Sequence, residues 1–228
     1  MRPIVIAIDG YAATGKSTTA QGVAELLGYL HIDSGAMYRA AAWYLLQKQV
    51  RHIDEENLPE LMSSFSLDME RRGTEMLIYV NGKLLRDELR QPEIGILASE
   101  VSGIAWLRER LIREQRRLGE KGGIVMDGRD IGTVVFPQAD LKVFMQADIQ
   151  ARVERRYKEL IAQGIPTTRE AVEKELLERD QRDETRPISP LRRAPDARIL
   201  DTSHLTIPEQ IAIVTKWAEV LIYAPSPS

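Results

Sequence analysis

The stretch Gly10-Tyr11-Ala12-Ala13-Thr14-Gly15-Lys16-Ser17 decides the fold. It fits the spacing G-x-x-x-x-G-K-[ST], which chance supplies in a chain of this length on the order of one time in a hundred. Before it, residues 3–8 (PIVIAI) form a short β-branched apolar run that reads as a buried strand. After it, residues 18–27 have helical spacing, with Val23, Leu26 and Leu27 on one face and Gly28 as the stop. The glycines let the backbone curl so that successive N–H groups point at phosphate oxygens, and the helix adds its positive end. On this reading Gly10, Tyr11, Ala12, Ala13, Thr14, Gly15, Lys16, Ser17 and Thr18 cradle a nucleoside triphosphate. Lys16 reaches the β- and γ-phosphates, and the Ser17 hydroxyl is the Mg²⁺ ligand.

Working outward, strands and helices alternate. Residues 30–32 read as a second strand and 36–47 as a helix. Residues 123–127 and 141–145 are further core strands, and 198–200 a last one. Charged helices run over about 148–163 and beyond the Gly164-Ile165-Pro166 break. A capping box over Thr167 to Glu170 is expected to open the second of these, and another over Thr206 to Glu209 the final helix. Such alternation predicts a parallel sheet covered by helices on both faces. The period changes between about 65 and 85. Phe65, Leu67 and Met69, then Met76, Ile78 and Val80, alternate with polar residues, and Asn81-Gly82 is a two-residue hairpin signal. A small antiparallel sheet inserted into the α/β chain is expected there. The tail after Ile222 reads as a frayed terminus.

The chain has 228 residues, enough for one domain with an insert, and no cysteine. Disulfides, thiolate nucleophiles and cysteine-built zinc sites are excluded. His31, His52 and His204 are too far apart for a paired-histidine metal helix. A net charge of −3 argues against a nucleic-acid partner. No apolar run is long enough to span a membrane or act as a secretion signal, so a cytoplasmic protein without a membrane partner is expected. Arginine supplies 23 of the 31 basic residues. Its planar fork suits phosphate and carboxylate. Two carboxylates, Asp9 and Asp127, end apolar strands near the loop and compete for the metal side. His31 reads as packing, Trp43 and Trp106 as core, and Arg113, Arg116 and Arg117 as surface. Asp180 and Asp183, among Arg179, Arg182 and Arg186, would by themselves read as a solvated helix face with local ion pairs.

Three further strings follow in order: Asp33-Ser34-Gly35-Ala36-Met37-Tyr38-Arg39, residues 127–137 (DGRDIGTVVFP), and residues 179–191 (RDQRDETRPISPL). With the phosphate loop, they resemble the cytidylate kinase family, bacterial type, over nearly the whole chain. One departure is visible. Tyr11 stands where the family commonly has proline, at a position that offers only backbone to phosphate.

The resemblance implies a P-loop kinase with a core (1–40, 105–150 and 195–223), a monophosphate-binding region with the insert (41–104) and a short helical lid (151–187). It implies phosphoryl transfer from ATP to CMP, and to dCMP, with Mg²⁺, by a monomer. Ser34, Arg108 and Asp130 would face the cytosine. The chemistry agrees, since a carboxylate accepts from the exocyclic amine while Arg and Ser satisfy O2 and N3. Arg39, Arg129 and Arg186 would clamp the monophosphate, and Ser99, Arg179 and Asp183 would contact the sugar. Lys16, Arg129 and Arg186 would act in catalysis. Arg155 and Arg156, with Arg152 as a weaker candidate, would reach the triphosphate from the lid. No general base is needed, because the acceptor phosphate is already an anionic nucleophile. Two alternatives stay open: a P-loop kinase for another acceptor, of UMP or shikimate type, and a nucleotide-binding regulator without turnover.

Overall fold

The computed structural model describes residues 2–50 and 56–224. His52 and most of the tail beyond Ile222 lie outside these residues. Five strands form one parallel sheet: β1 (Val5–Gly10), β2 (Leu30–Asp33), β6 (Ile124–Gly128), β7 (Leu141–Gln146) and β8 (Arg198–Asp201), in the order β2-β6-β1-β7-β8. β1 lies two residues later than the apolar run suggested. Its pairing with β6 and β7 carries the strand through Asp9 and Gly10, which sit opposite Gly128 and Met145. All five residues of β6 are buried, as a central parallel strand requires.

Helices cover both faces. α1 (Lys16–Leu27) and α8 (Ile207–Ile222) pack on Ile6, Ile8 and Val143. On the other face Ala7, Ile32, Ile124 and Met126 meet Ile112 and Leu118 of α5 (Ala105–Gly119). α2 (Ser34–Gln47) and α4 (Pro92–Val101) join α5 in a second apolar cluster. Trp43 and Trp106 pack against it. The short helix α3 (Leu58–Leu61) adds Leu58 and was not foreseen.

The insert is a three-stranded antiparallel sheet, β3 (Leu67–Arg72), β4 (Glu75–Val80) and β5 (Lys83–Leu85). Val80 pairs with Lys83 across Asn81-Gly82, both at positive φ, which is the hairpin the dipeptide encodes. The insert docks on the core where the His31 amide donates to the Thr74 carbonyl at 2.8 Å.

Two charged helices, α6 (Ile149–Ala162) and α7 (Arg169–Thr185), form an antiparallel pair. The expected box over Thr167 to Glu170 is corrected by one residue. Thr168 is the N-cap, its hydroxyl accepting from the Ala171 amide. Thr206 and Glu209 do form the reciprocal box of α8. The buried stripe of α7 is Val172, Leu176, Asp180 and Asp183. Its apolar half packs on Val153, Leu160 and Ala12. Its acidic half binds arginines, Asp180 holding Arg152 of α6 and Asp183 holding Arg129 beyond β6.

Candidate active site

The phosphate loop leaves β1 at its carboxyl end, where parallel sheets place ligands. Gly10 has φ +154, and a Cβ there would meet the Met145 carbonyl oxygen at 2.1 Å, so only glycine lets the loop turn beside β7. Ala13 and Gly15 also have positive φ. α1 begins with no side-chain cap, so its first amides are open to an anion. The Lys16 ammonium, with no carboxylate in contact among the described residues, donates to the Tyr11 carbonyl at 3.2 Å. Burial, reinforced by the Arg129 charge, pulls its pKa down to about 7.

Beside the loop lies a cleft between α2, α4, the end of β6 and α7. Six cationic side chains line it, Lys16, Arg39, Arg108, Arg129, Arg179 and Arg186, against four carboxylates, Asp33, Asp127, Asp130 and Asp183. The surplus is positive although the chain is acidic overall, so the cleft suits an anion. Each carboxylate holds particular groups. Asp33 caps α2 through the Ala36 amide at 3.0 Å and takes Arg39 Nη2 at 2.6 Å. Asp183 takes Arg129 Nε at 2.6 Å. Burial raises the Asp183 pKa, but Arg129, Arg179 and Arg186 together outweigh it and hold the carboxyl below its usual range.

At the back of the cleft Arg108 and Asp130 form an ion pair, 2% and 5% exposed. Arg108 also donates to the Ser102 carbonyl at 2.8 Å and lies over the Tyr38 ring. Asp130 has Arg186 3.7 Å from its other oxygen. Ser34 donates to the Asp127 carbonyl at 2.7 Å. That approach needs a glycine at 128, where a Cβ would come within 2.4 Å of Ser34 Oγ. Arg108 Nε, Arg179 Nε and Arg186 Nη2 are buried without a hydrogen-bond acceptor among the described residues. Such donors mark where a ligand's acceptors belong.

The two strand-end carboxylates divide clearly. Asp9 spends both oxygens on the Ile131 and Gly132 amides, each at 2.7 Å. Asp127, 1% exposed, accepts from Ser17 Oγ at 2.5 Å, and His31 Nε2 lies 2.8 Å from its other oxygen. His31 is therefore more than packing. Burial lowers its pKa, but the hydrogen bond and charge of Asp127 outweigh this and raise it. Serine hydroxyl and carboxylate are hard oxygen donors of the kind Mg²⁺ takes, so the pair fits that ion.

All nine residues expected to hold the acceptor line one cleft: Ser34, Arg39, Ser99, Arg108, Arg129, Asp130, Arg179, Asp183 and Arg186. Arg155 and Arg156 lie elsewhere, in a neighbouring hollow with Ala13, Gly15, Thr18 and Gln210. Arg155 donates to the Thr202 carbonyl and hydroxyl. Arg152 is buried, paired with Asp180 at 2.6 Å, and lines neither space. Asp180 and Asp183 thus bind arginines of other elements, so the solvated-face reading of α7 is corrected. Arg116 is exposed, as expected, and its guanidinium also donates to the Val134 and Val135 carbonyls, closing the turn beyond β6. Sequence reasoning gave no functional role to Asp33, Tyr38 or Ser102, and read His31 as packing only. Asp33 and Tyr38 stood inside a quoted motif, whereas Ser102 and His31 carried no signal.

A phosphate-binding loop at the end of a parallel sheet, opening on an arginine-lined cleft, defines a P-loop phosphotransferase. Comparison with known proteins narrows that class. The family model described as cytidylate kinase matches residues 6–220. A protein of Phocaeicola vulgatus named cytidylate kinase is 45% identical, covering 92% of this chain and 94% of its own. Proteins of the same name from Chloroherpeton thalassium and Streptococcus sanguinis are 45% and 42% identical, each covering 97% of this chain. This chain belongs to the cytidylate kinase family. A crystal structure of an uncharacterised protein from Eubacterium ventriosum shares the fold, with a TM-score of 0.54 at 12% identity over 96% of this chain and 99% of its own. No helix among the described residues is long and apolar enough to cross a membrane.

Proposed function

We propose that this protein transfers the γ-phosphoryl group of ATP to CMP, and to dCMP, giving ADP and CDP or dCDP. The observation that carries this reading is the Lys16 loop and the buried Arg108–Asp130 pair facing one cleft. Asp130 would accept from the cytosine amine, with Arg108 and Ser34 donating to its acceptor atoms. Arg39, Arg129 and Arg186 would hold the monophosphate, and Ser99, Arg179 and Asp183 the sugar. Ser17 would hold Mg²⁺, with Asp127 orienting it, and the ion would supply charge neutralisation for the transferring phosphates. Lys16, Arg129 and Arg186 would neutralise charge on the migrating group. Arg155 and Arg156 would approach the nucleotide from the α6 side. In this reading α6, α7 and their connection (151–187) act as a lid on the core, and 41–104 as the monophosphate-binding region. The protein works as a monomer in the cytoplasm.

A panel of CMP, dCMP, UMP, AMP and shikimate with MgATP, read by ADP release, tests the proposal. CMP should give the highest kcat/KM. Faster turnover of UMP or shikimate would replace the acceptor, and nucleotide binding without turnover of any acceptor would make the chain a regulator.

A further inference from the structure

The Tyr11 side chain stands apart from the loop's phosphate-facing backbone and makes its own contacts. Its hydroxyl donates to Glu184 Oε1 at 2.6 Å, joining the loop to the last turn of α7. Its ring meets Phe144 edge-on, with centroids 5.9 Å apart. The Arg152 guanidinium lies 5.3 Å from the ring centre and is itself held by Asp180 of α7. The ring is thus gripped by β7, α6 and α7 together.

Both ends of this link reach functional groups. On the loop side, the Tyr11 carbonyl accepts from the Lys16 ammonium at 3.2 Å and from the Thr14 hydroxyl at 3.0 Å. On the helix side, Glu184 follows Asp183, which holds Arg129. A shift of the last turn of α7 therefore acts on Arg129 through Asp183 and on the Lys16 loop through Tyr11. A proline at position 11 would have no such reach.

We propose that Tyr11 is a positioning residue whose hydroxyl, on Glu184, couples nucleotide binding at the loop to acceptor binding at the arginine cleft. The inference rests on the kinase reading above. Coupling between two ligands is reciprocal, so nucleotide tightens CMP and CMP tightens nucleotide by the same factor. Burial and Glu184 push the Tyr11 pKa up to about 12, so the donor is kept throughout the neutral range. A mere rim hydrogen bond would add a little stability and leave that factor alone.

The test compares CMP affinity by calorimetry with and without saturating ADP, in wild type, Tyr11→Phe, Glu184→Ala, Glu184→Gln and the Tyr11→Phe/Glu184→Ala double variant. Phenylalanine keeps the ring contacts and loses only the hydroxyl. ADP should tighten CMP binding in wild type. Tyr11→Phe and Glu184→Ala should each cut that factor by about three- to tenfold, the range for one partly exposed charge-assisted hydrogen bond. The double variant should be no worse than either single, and Glu184→Gln, still an acceptor, should keep part of the factor. An unchanged factor in folded Tyr11→Phe, or additive losses in the double variant, would overturn the proposal. Hydrogen exchange of the free protein separates this from the choice of acceptor. Tyr11→Phe should speed exchange over 181–186 whatever the acceptor is, and unchanged exchange there would also overturn the link.

Discussion

Lys16 and Asp130 show how one side chain's surroundings set its chemistry. Buried beside Arg129, Lys16 has a pKa near 7 in the free protein. A bound triphosphate brings negative charge and raises that pKa. Nucleotide affinity should thus be intact below pH 7 and weaken as pH rises above it, with proton uptake on binding. Calorimetry of MgADP at about pH 8, in buffers of different ionisation enthalpy, should find uptake in wild type and none in Lys16→Ala. The same variant should lose roughly 10²–10³-fold in kcat, as for other lost transition-state contacts. Asp130 engages Arg108 and Arg186, whereas Arg129 is held by Asp183. Asp130 therefore does not act by holding Arg129. Asp130→Asn should lower kcat/KM on CMP more than on UMP, because uracil presents a carbonyl where cytosine presents an amine. It also strands part of the Arg108 charge, so a folding cost approaching the ~3–5 kcal/mol of a broken buried pair is expected, and melting must be measured alongside. An unchanged CMP to UMP ratio would take Asp130 out of base selection.

The elements are joined by polar pins as much as by apolar packing. Beyond β6 the chain makes a π-helical turn over Ile131–Val135, which places Asp130 and Arg129. Asp9 pins it by accepting two amides, and Arg116 closes its far end. In Asp9→Asn one amide would face an NH₂ group, an unsatisfied donor worth about 1–3 kcal/mol of stability in urea titrations. Burial also raises the Asp9 pKa to about 7. The folded state then binds a proton that the unfolded chain releases, so this group's contribution is full below about pH 4 and fades as pH rises through about 7. Asp9→Asn should flatten that part of the stability profile. α7 shows the same economy of design, because one stripe packs an apolar half, holds Arg152 of α6 through Asp180 and presents Asp183 to the site.

At the scale of the whole molecule, transfer without hydrolysis requires water to be excluded when both substrates are bound. The connection over 163–168 between α6 and α7 and the hairpin at Asn81-Gly82 of the inserted sheet are the expected moving parts. CMP with a non-hydrolysable ATP analogue should slow hydrogen exchange at both, and unchanged protection at both would count against closure. Apart from α3, the order of strands and helices, the inserted sheet and the phosphate loop were legible without coordinates. They depend on local rules: β-branched runs, helical spacing, glycine at positive φ and the Asn-Gly turn. Strand β1 was placed two residues early and the α7 cap one residue early, because ends are set by neighbours: the β6 and β7 registers for one, the Ala171 amide for the other. The sequence by itself determined the loop, the arginines and the acidic residues among them. Only the tertiary structure decided the pairing: Arg129 with Asp183, Arg108 with Asp130, Arg152 with Asp180, His31 with Asp127. Ion pairs between elements depend on which side chains the sheet order and the α7 stripe bring within a few ångströms. Partners up to 96 residues apart in the case of His31 and Asp127 leave no local pattern to read.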